Sequence, residues 1–115
     1  MGEDLRLKLP NGERAIVPDA KLSMYLLSST HPFGRSKARF FERLGFSLDH
    51  PEHLRVALLD LALSADMQEI TFEYGKKYTG PGFIVSPTGR TALVVTVWVM
   101  IPGAAAPTLV TAYPG

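Results

Sequence analysis

Three short stretches hold the residues whose types suit proton and phosphate chemistry. His31 and Lys37 lie in "HPFGRSK", Arg90 and Thr91 open "GRTALVVTVW", and Thr111 and Tyr113 lie in "PTLVTAYPG". A histidine titrates near neutral pH and can give or take a proton. A lysine or an arginine can hold an anion. Hydroxyls of a Thr and a Tyr can donate and accept hydrogen bonds.

Lys37 stands out within its own segment. In "GRSKARFFERLGF", at about 100° per residue, Phe40, Phe41 and Leu44 form one side of a helix and Arg35, Arg39 and Arg43 the other. Lys37 falls on the apolar side, where an unpartnered ammonium is costly. Two readings compete: the stem packs at a wet first turn and the ammonium snorkels out, or Lys37 faces a polar cleft and binds an anion. The arginine stripe is by default a solvated face, yet Arg35, Lys37 and Arg39 are opposed there only by Glu42 and can follow phosphates. His31 directly precedes this helix, whose free N–H groups favour anions.

In the Trp-bearing stretch, strict alternation puts Thr91, Leu93, Val95, Val97 and Val99 on one face, expected to pack on helices. Arg90, Ala92, Val94, Thr96 and Trp98 share the other, expected to be partly solvated or to wall a groove. Trp98 is then a packing residue or a stacking surface for a base. Thr111 and Tyr113 share a face of the final strand, and a central place in the sheet would keep that strand from fraying. His50, His53, Asp49 and Glu52 cluster in "DHPEH" without the spacing of a closed metal site, so no metal and no cofactor are expected. A phosphate-binding glycine loop, a Ser-centred nucleophile elbow and a paired-carboxylate constellation are all missing.

The elements that must position these residues read as helices followed by strands. "LRLKLPNGERAIV" alternates around a Pro-Asn-Gly turn, which predicts a β-hairpin over residues 5–17. Helices are expected over about 19–65: one opened by Pro18 and capped by Asp19, one between Gly34 and Gly45, and one from Pro51 to Ala65 with Asp49 as cap. The last is nearly all apolar and should be the most buried. From about 68 to 113 the pattern is that of strands: "EITFEYGKKY", a turn at "TGPGF", a short strand in "FIVSPTGR", the long "TALVVTVWVMI", and "TLVTAY" after a loop. This order predicts an α+β fold with an antiparallel sheet of three to four strands covered on one face.

The chain has 115 residues, 46% of them hydrophobic and 20% charged, which suits a single globular domain. A net charge of +1 gives no global drive toward nucleic acid, so that function rests on local clustering. The chain has no cysteine, so its fold is indifferent to redox compartment. The N-terminal stretch lacks the apolar run of a signal peptide, and no run is long enough to cross a bilayer.

"HPFGRSKARFF", "GRTALVVTVW" and "PTLVTAYP", in that order and preceded by "LPNGERAIV", resemble an uncharacterised bacterial domain family over nearly the whole chain. The terminal Thr-Ala-Tyr-Pro is also similar to the closing strand of the barnase–EndoU–colicin–RelE superfamily of small ribonucleases, many of them toxins. The resemblance implies a metal-independent endoribonuclease in which the RNA 2′-hydroxyl attacks the adjacent phosphate. It places His31, Lys37, Arg90, Thr111 and Tyr113 in catalysis, with His31 as proton shuttle. Arg35, Arg39, Thr91 and Trp98 would bind RNA, tRNA included. An antitoxin or immunity protein would be the partner, with no membrane involved, in the cytoplasm of the producing or target cell. One departure favours a second reading, a non-catalytic protein-binding domain of antitoxin, immunity or degenerate toxin type. Relatives hold a basic or polar residue in the Trp-bearing strand where this chain has Val94-Val95.

Overall fold

The computed structural model describes residues 6–115. Leu5, the expected first residue of the hairpin, lies outside the described residues. The fold is α+β. A five-stranded antiparallel sheet runs in sequence order, from β1 (Arg6–Lys8) through β2 (Asp66–Phe72), β3 (Gly75–Val85) and β4 (Thr91–Met100) to β5 (Thr108–Pro114). Between β1 and β2 come α1 (Asp19–Lys21), a π-helical stretch Leu22–Leu26, α2 (Arg35–Leu44) and α3 (Pro51–Ser64).

The N-terminal hairpin does not form. The Pro-Asn-Gly turn is present, with Asn11 at φ 54° and the Gly12 N–H donating to Leu9 O. After it the chain makes a 3-10 turn at Gly12–Arg14 instead of folding back. β1 pairs with β2 (Leu7 opposite Met67), while Ile16 forms a parallel bridge with Thr108 of β5. The two limbs thus join opposite edges of one sheet. Alternation shows that a segment is a strand but not which strand it pairs with.

Two further turns lie elsewhere than the sequence suggests. "EITFEYGKKY" is two strands, because the chain reverses before Gly75, whose φ is 141° and whose added Cβ would lie 2.5 Å from Met100 O. "TGPGF" instead runs inside β3. Its glycines serve close approach: a Cβ on Gly80 would lie 2.4 Å from Asp66 O, and one on Gly82 would lie 2.9 Å from Leu61 of α3. Registered pairing with β2 ends at Thr79, so Pro81 sits where β3 is edge-like on that side and proline is tolerated.

The core lies between the helices and one face of the sheet. On α3 the residues Leu54, Ala57, Leu58, Leu61 and Ala62 are buried, the i, i+3, i+4, i+7, i+8 stripe of an amphipathic helix. Val56 and Leu63 face solvent despite the apolar sequence. The helix is preceded by His50 and not capped by Asp49, and α1 is preceded by Pro18 with Asp19 as its first residue, paired with Arg55. Leu22, Leu26 and Leu27 are all buried. In a regular helix Leu27 would sit about 140° around from Leu22; the wider turn, closed by the Leu27 N–H on Leu22 O at 2.8 Å, lets both face the core.

The faces of β4 are the reverse of those expected. Val94, Thr96 and Trp98 face the core, and Leu93, Val95 and Val97 face away from the helices. Trp98 is wholly buried, and its Nε1–H donates to the equally buried Thr96 Oγ1 at 2.8 Å. The hydroxyl that suggested a wet face is the acceptor that allows indole burial.

β5 is an edge strand, not a central one. Its parity is set by a bulge: Thr111 lies opposite Val97 and Leu109 opposite Trp98, so Val110 is the extra residue. Leu109 and Ala112 are therefore both buried, and Thr111 and Tyr113 share the outward side with Val97 and Val95. Among the described residues no helix is long and apolar enough to cross a membrane.

Candidate functional site

The side chain at the centre of the candidate site is Tyr25, in the π-helical stretch. Its hydroxyl and Thr111 Oγ1 are 3.0 Å apart, which links the first helical segment to the edge strand. The His31 ring stands edge-on to the Tyr25 ring, with centroids 4.9 Å apart at 73°. The Lys37 Nζ lies 5.3 Å from the Tyr25 ring centroid and the Lys21 Nζ 5.4 Å from it, both within cation–π range. Three residues singled out in the sequence, His31, Lys37 and Thr111, thus gather on a tyrosine that the sequence did not mark as functional.

The "HPFG" turn builds this arrangement. Ser28, buried, accepts from the backbone N–H groups of Thr30 and His31 through Oγ and ends the preceding helical segment. His31 Nδ1 accepts from the N–H groups of Phe33 and Gly34, both at 3.0 Å. That assigns the neutral ring's proton to Nε2, so His31 offers an N–H donor and no free ring acceptor. Gly34 presses on Tyr25 so closely that an added Cβ would lie 2.1 Å from Tyr25 O. Lys37 Nζ donates to Phe33 O at 3.1 Å, so this half-buried lysine sits at the first turn of α2 with its ammonium near the tyrosine ring. The motif's histidine, glycine and lysine are spaced as they are because all three close around one ring.

Electrostatics at the cluster are one-sided. Burial alone would raise the Tyr25 hydroxyl's pKa, but the Thr111 hydrogen bond, the hydrogen-bonding influence of Lys37 and the charges of Lys37 and Lys21 outweigh it and lower it from 10.0. Among the described residues no carboxylate forms an ion pair with Lys21, Lys37, Arg35 or Arg39. Arg35 and Arg39 are exposed on α2.

The remaining sequence candidates lie elsewhere. Arg90 N–H donates to Ser86 Oγ at 3.1 Å, and its guanidinium donates to Arg43 O at 3.0 Å, at the C-terminal end of α2. Arg90 therefore satisfies a helix-end carbonyl at the opposite end of α2 from Lys37. Thr91, opposite Val85, is exposed at the start of β4, several pairs away from Val97 and Thr111. Trp98, inside the core, presents no surface to a base. Tyr113 is exposed on β5, outward like Thr111. The His50 and His53 rings lie tilted at 31° with centroids 5.4 Å apart near the start of α3. The described residues hold no group of three His, Asp or Glu side chains placed for a metal ion. A cavity of about 460 Å³ lies between the β2–β3 turn and the loop after β4, lined by Phe72, Lys76, Tyr78 and Met100, away from the Tyr25 cluster.

Residues 8–115 match the family described as a domain of unknown function (DUF6883), and the chain belongs to that family. No match is found among curated proteins. Among solved structures, a chain of a contact-dependent growth inhibition toxin–immunity protein complex from Klebsiella pneumoniae 342 is similar. Its TM-score is 0.60 at 19% sequence identity, over 87% of this chain and 99% of that one. At that identity the likeness is one of fold.

Proposed function

We propose that this domain is a toxin-type endoribonuclease that cleaves RNA without a metal ion, at the Tyr25 cluster. The observation that carries the reading is the convergence of Lys37, His31 and Thr111 on one tyrosine, with Lys21 added and no carboxylate paired to the lysines among the described residues. Such a cluster suits a phosphodiester: Lys37 offsets charge on the non-bridging oxygens, His31 Nε2–H and the Thr111 hydroxyl orient them, and Arg35 and Arg39 follow the flanking backbone. Tyr113, outward and two residues beyond Thr111, is placed to stack on a neighbouring base. The 2′-hydroxyl as nucleophile restricts the reaction to RNA and leaves a 2′,3′-cyclic phosphate and a 5′-hydroxyl. The fold likeness to a chain of a toxin–immunity complex supports a toxin-type setting with a protein inhibitor as partner.

The test is incubation of the purified protein with total RNA, tRNA included, in EDTA, beside the His31→Ala, Lys37→Ala double variant. Cleavage by the parent with 2′,3′-cyclic ends, lost in the variant, is expected. Equal absence of cleavage from both sinks the proposal.

A specific observation favours a second reading, a protein-binding module of antitoxin or immunity type. The sheet face away from the helices carries Phe83 at 69% exposure and Leu93 at 41%, beside Val95 and Tyr113. Exposed apolar surface of this kind marks contact with another protein. Growth arrest on expression, relieved by a co-expressed neighbouring gene, points to the toxin; rescue of another toxin by this chain points to the second reading.

A further inference from the structure

We infer that Tyr25, and not His31, is the group that accepts the proton from the attacking 2′-hydroxyl. The inference rests on the RNA-cleavage reading and names the base within it. A base needs a free lone pair within reach of the phosphate-binding groups. His31 lacks one: Nδ1 holds the Phe33 and Gly34 N–H groups, and Nε2 carries the proton. Its ring serves as a rigid cap of the turn. Thr111 has a hydroxyl of ordinary alcohol acidity, and Lys37 bears a proton already. Tyr113 is outward, with no side-chain hydrogen bond to fix it among those described.

Tyr25 has what these lack. Its oxygen is positioned by Thr111 Oγ1 at 3.0 Å, its ring is clamped by Gly34 and by the edge of His31, and two ammonium groups stand over the ring. Every charged or titratable group recorded around it, Lys21 from α1, His31 from the turn and Lys37 from α2, is cationic or neutral, so the surroundings favour the phenolate. In that state Thr111 donates to the phenolate oxygen.

In the step itself, the proton of O2′ passes to the Tyr25 oxygen as the O2′–P bond forms and the P–O5′ bond breaks. The departing O5′ takes a proton from the Lys37 ammonium. After the products leave, the Tyr25 phenol returns its proton to the Lys37 amine through solvent, and both charges are restored. The step needs no oxidant and no co-reactant.

The experiment pairs cleavage kinetics with a titration that needs no RNA. Tyrosine labelled with ¹³C at Cζ is followed by NMR against pH in the full chain, and Tyr25 is expected to ionise below the chain's other tyrosines. Lys37→Ala and Thr111→Val should each move it up. Tyr25→Phe, which keeps the ring, should cut cleavage by about 100-fold while a 2′-deoxy oligonucleotide still binds within a few-fold. The acidic limb of the parent's pH–rate profile should follow the Tyr25 titration. Cleavage by Tyr25→Phe within tenfold of the parent, or a Tyr25 that ionises no lower than free tyrosine, overturns the inference and leaves the ribonuclease reading intact. A parent that cleaves no RNA overturns both, whatever the titration shows.

Discussion

Gly34→Ala separates backbone effects from contact effects at the site. Gly34 has φ −89° and ψ −25°, in the right-handed helical region that alanine adopts readily. On backbone grounds alone the change should stabilise by about 0.4–1 kcal/mol, by narrowing the unfolded ensemble. The structure reverses that sign. The new methyl would lie 2.1 Å from Tyr25 O and 2.9 Å from its carbonyl carbon, so turn and helix must part until the first distance exceeds 3.0 Å. Both atoms are backbone and cannot rotate away. Overpacking of this kind costs about 1–3 kcal/mol, so a net loss of about 1–2 kcal/mol is expected. Urea denaturation followed by the fluorescence of Trp98, the only tryptophan and wholly buried, reads it directly. With a slope of about 1–2 kcal/mol per molar, the midpoint should fall by about 1 M. The same variant should lift Lys37 and His31 off Tyr25 and move the tyrosine's titration upward. A Gly34→Ala protein as stable as the parent would refute the close approach, and with it the role of the turn as a clamp.

Three further outcomes follow from the geometry. Thr96→Val removes the only recorded acceptor of the Trp98 indole N–H and should cost about 1–3 kcal/mol in the same denaturation, whereas Thr96→Ser should cost clearly less. Arg90→Ala should lose at most about 1 kcal/mol, the worth of one exposed hydrogen bond, and leave RNA cleavage within twofold; a tenfold loss of cleavage would draw Arg90 into the site. The tyrosines should oppose each other in alkali. Tyr78, pushed up to about 12 by burial and by its hydrogen bond to Glu69, contributes stability fully below pH 10.0 and loses it as pH rises through about 12, and Tyr78→Phe should remove that alkaline loss. Tyr25, lowered from 10.0, contributes fully only above that pH and loses the contribution as pH falls through its folded value.

The helices and the α+β arrangement were legible because each rests on local signals: Pro51 at a first turn, Gly45 at φ 110° ending α2, a change of apolar period near residue 65. Strand pairing was not, because alternation is silent about partners. The segment ending at Ile16 reads the same whether it pairs with β1 or with β5. Glycine misled at Gly80 and Gly82, where its smallness and not its freedom is in use. The reversed faces of β4 have one cause: a threonine at Thr96 reads as wet until Trp98 is seen to need it. In the candidate site, the sequence order of His31, Gly34 and Lys37 marked the turn, but not that they enclose Tyr25. That tyrosine carries no local signal beyond a helical spacing from Leu22, and its partner Thr111 lies far along the chain.

The link between Tyr25 and Thr111 also fixes when the candidate site can exist. Their sequence separation is 86 residues, and Ile16 and Thr108, the neighbouring bridge, are farther apart still. Contacts so distant along the chain close large loops, each at an entropic cost that nearer contacts do not carry. The meander from β2 to β5 and the two longer helices rest on short-range contacts. The meeting of the β5 edge with the Tyr25 segment is the long-range step, and a chain in which the two have not met holds its helices and its meander but no Thr111 at Tyr25. Chemistry built on this pair is therefore absent from every form of the chain in which the β5 edge and the Tyr25 segment have not met.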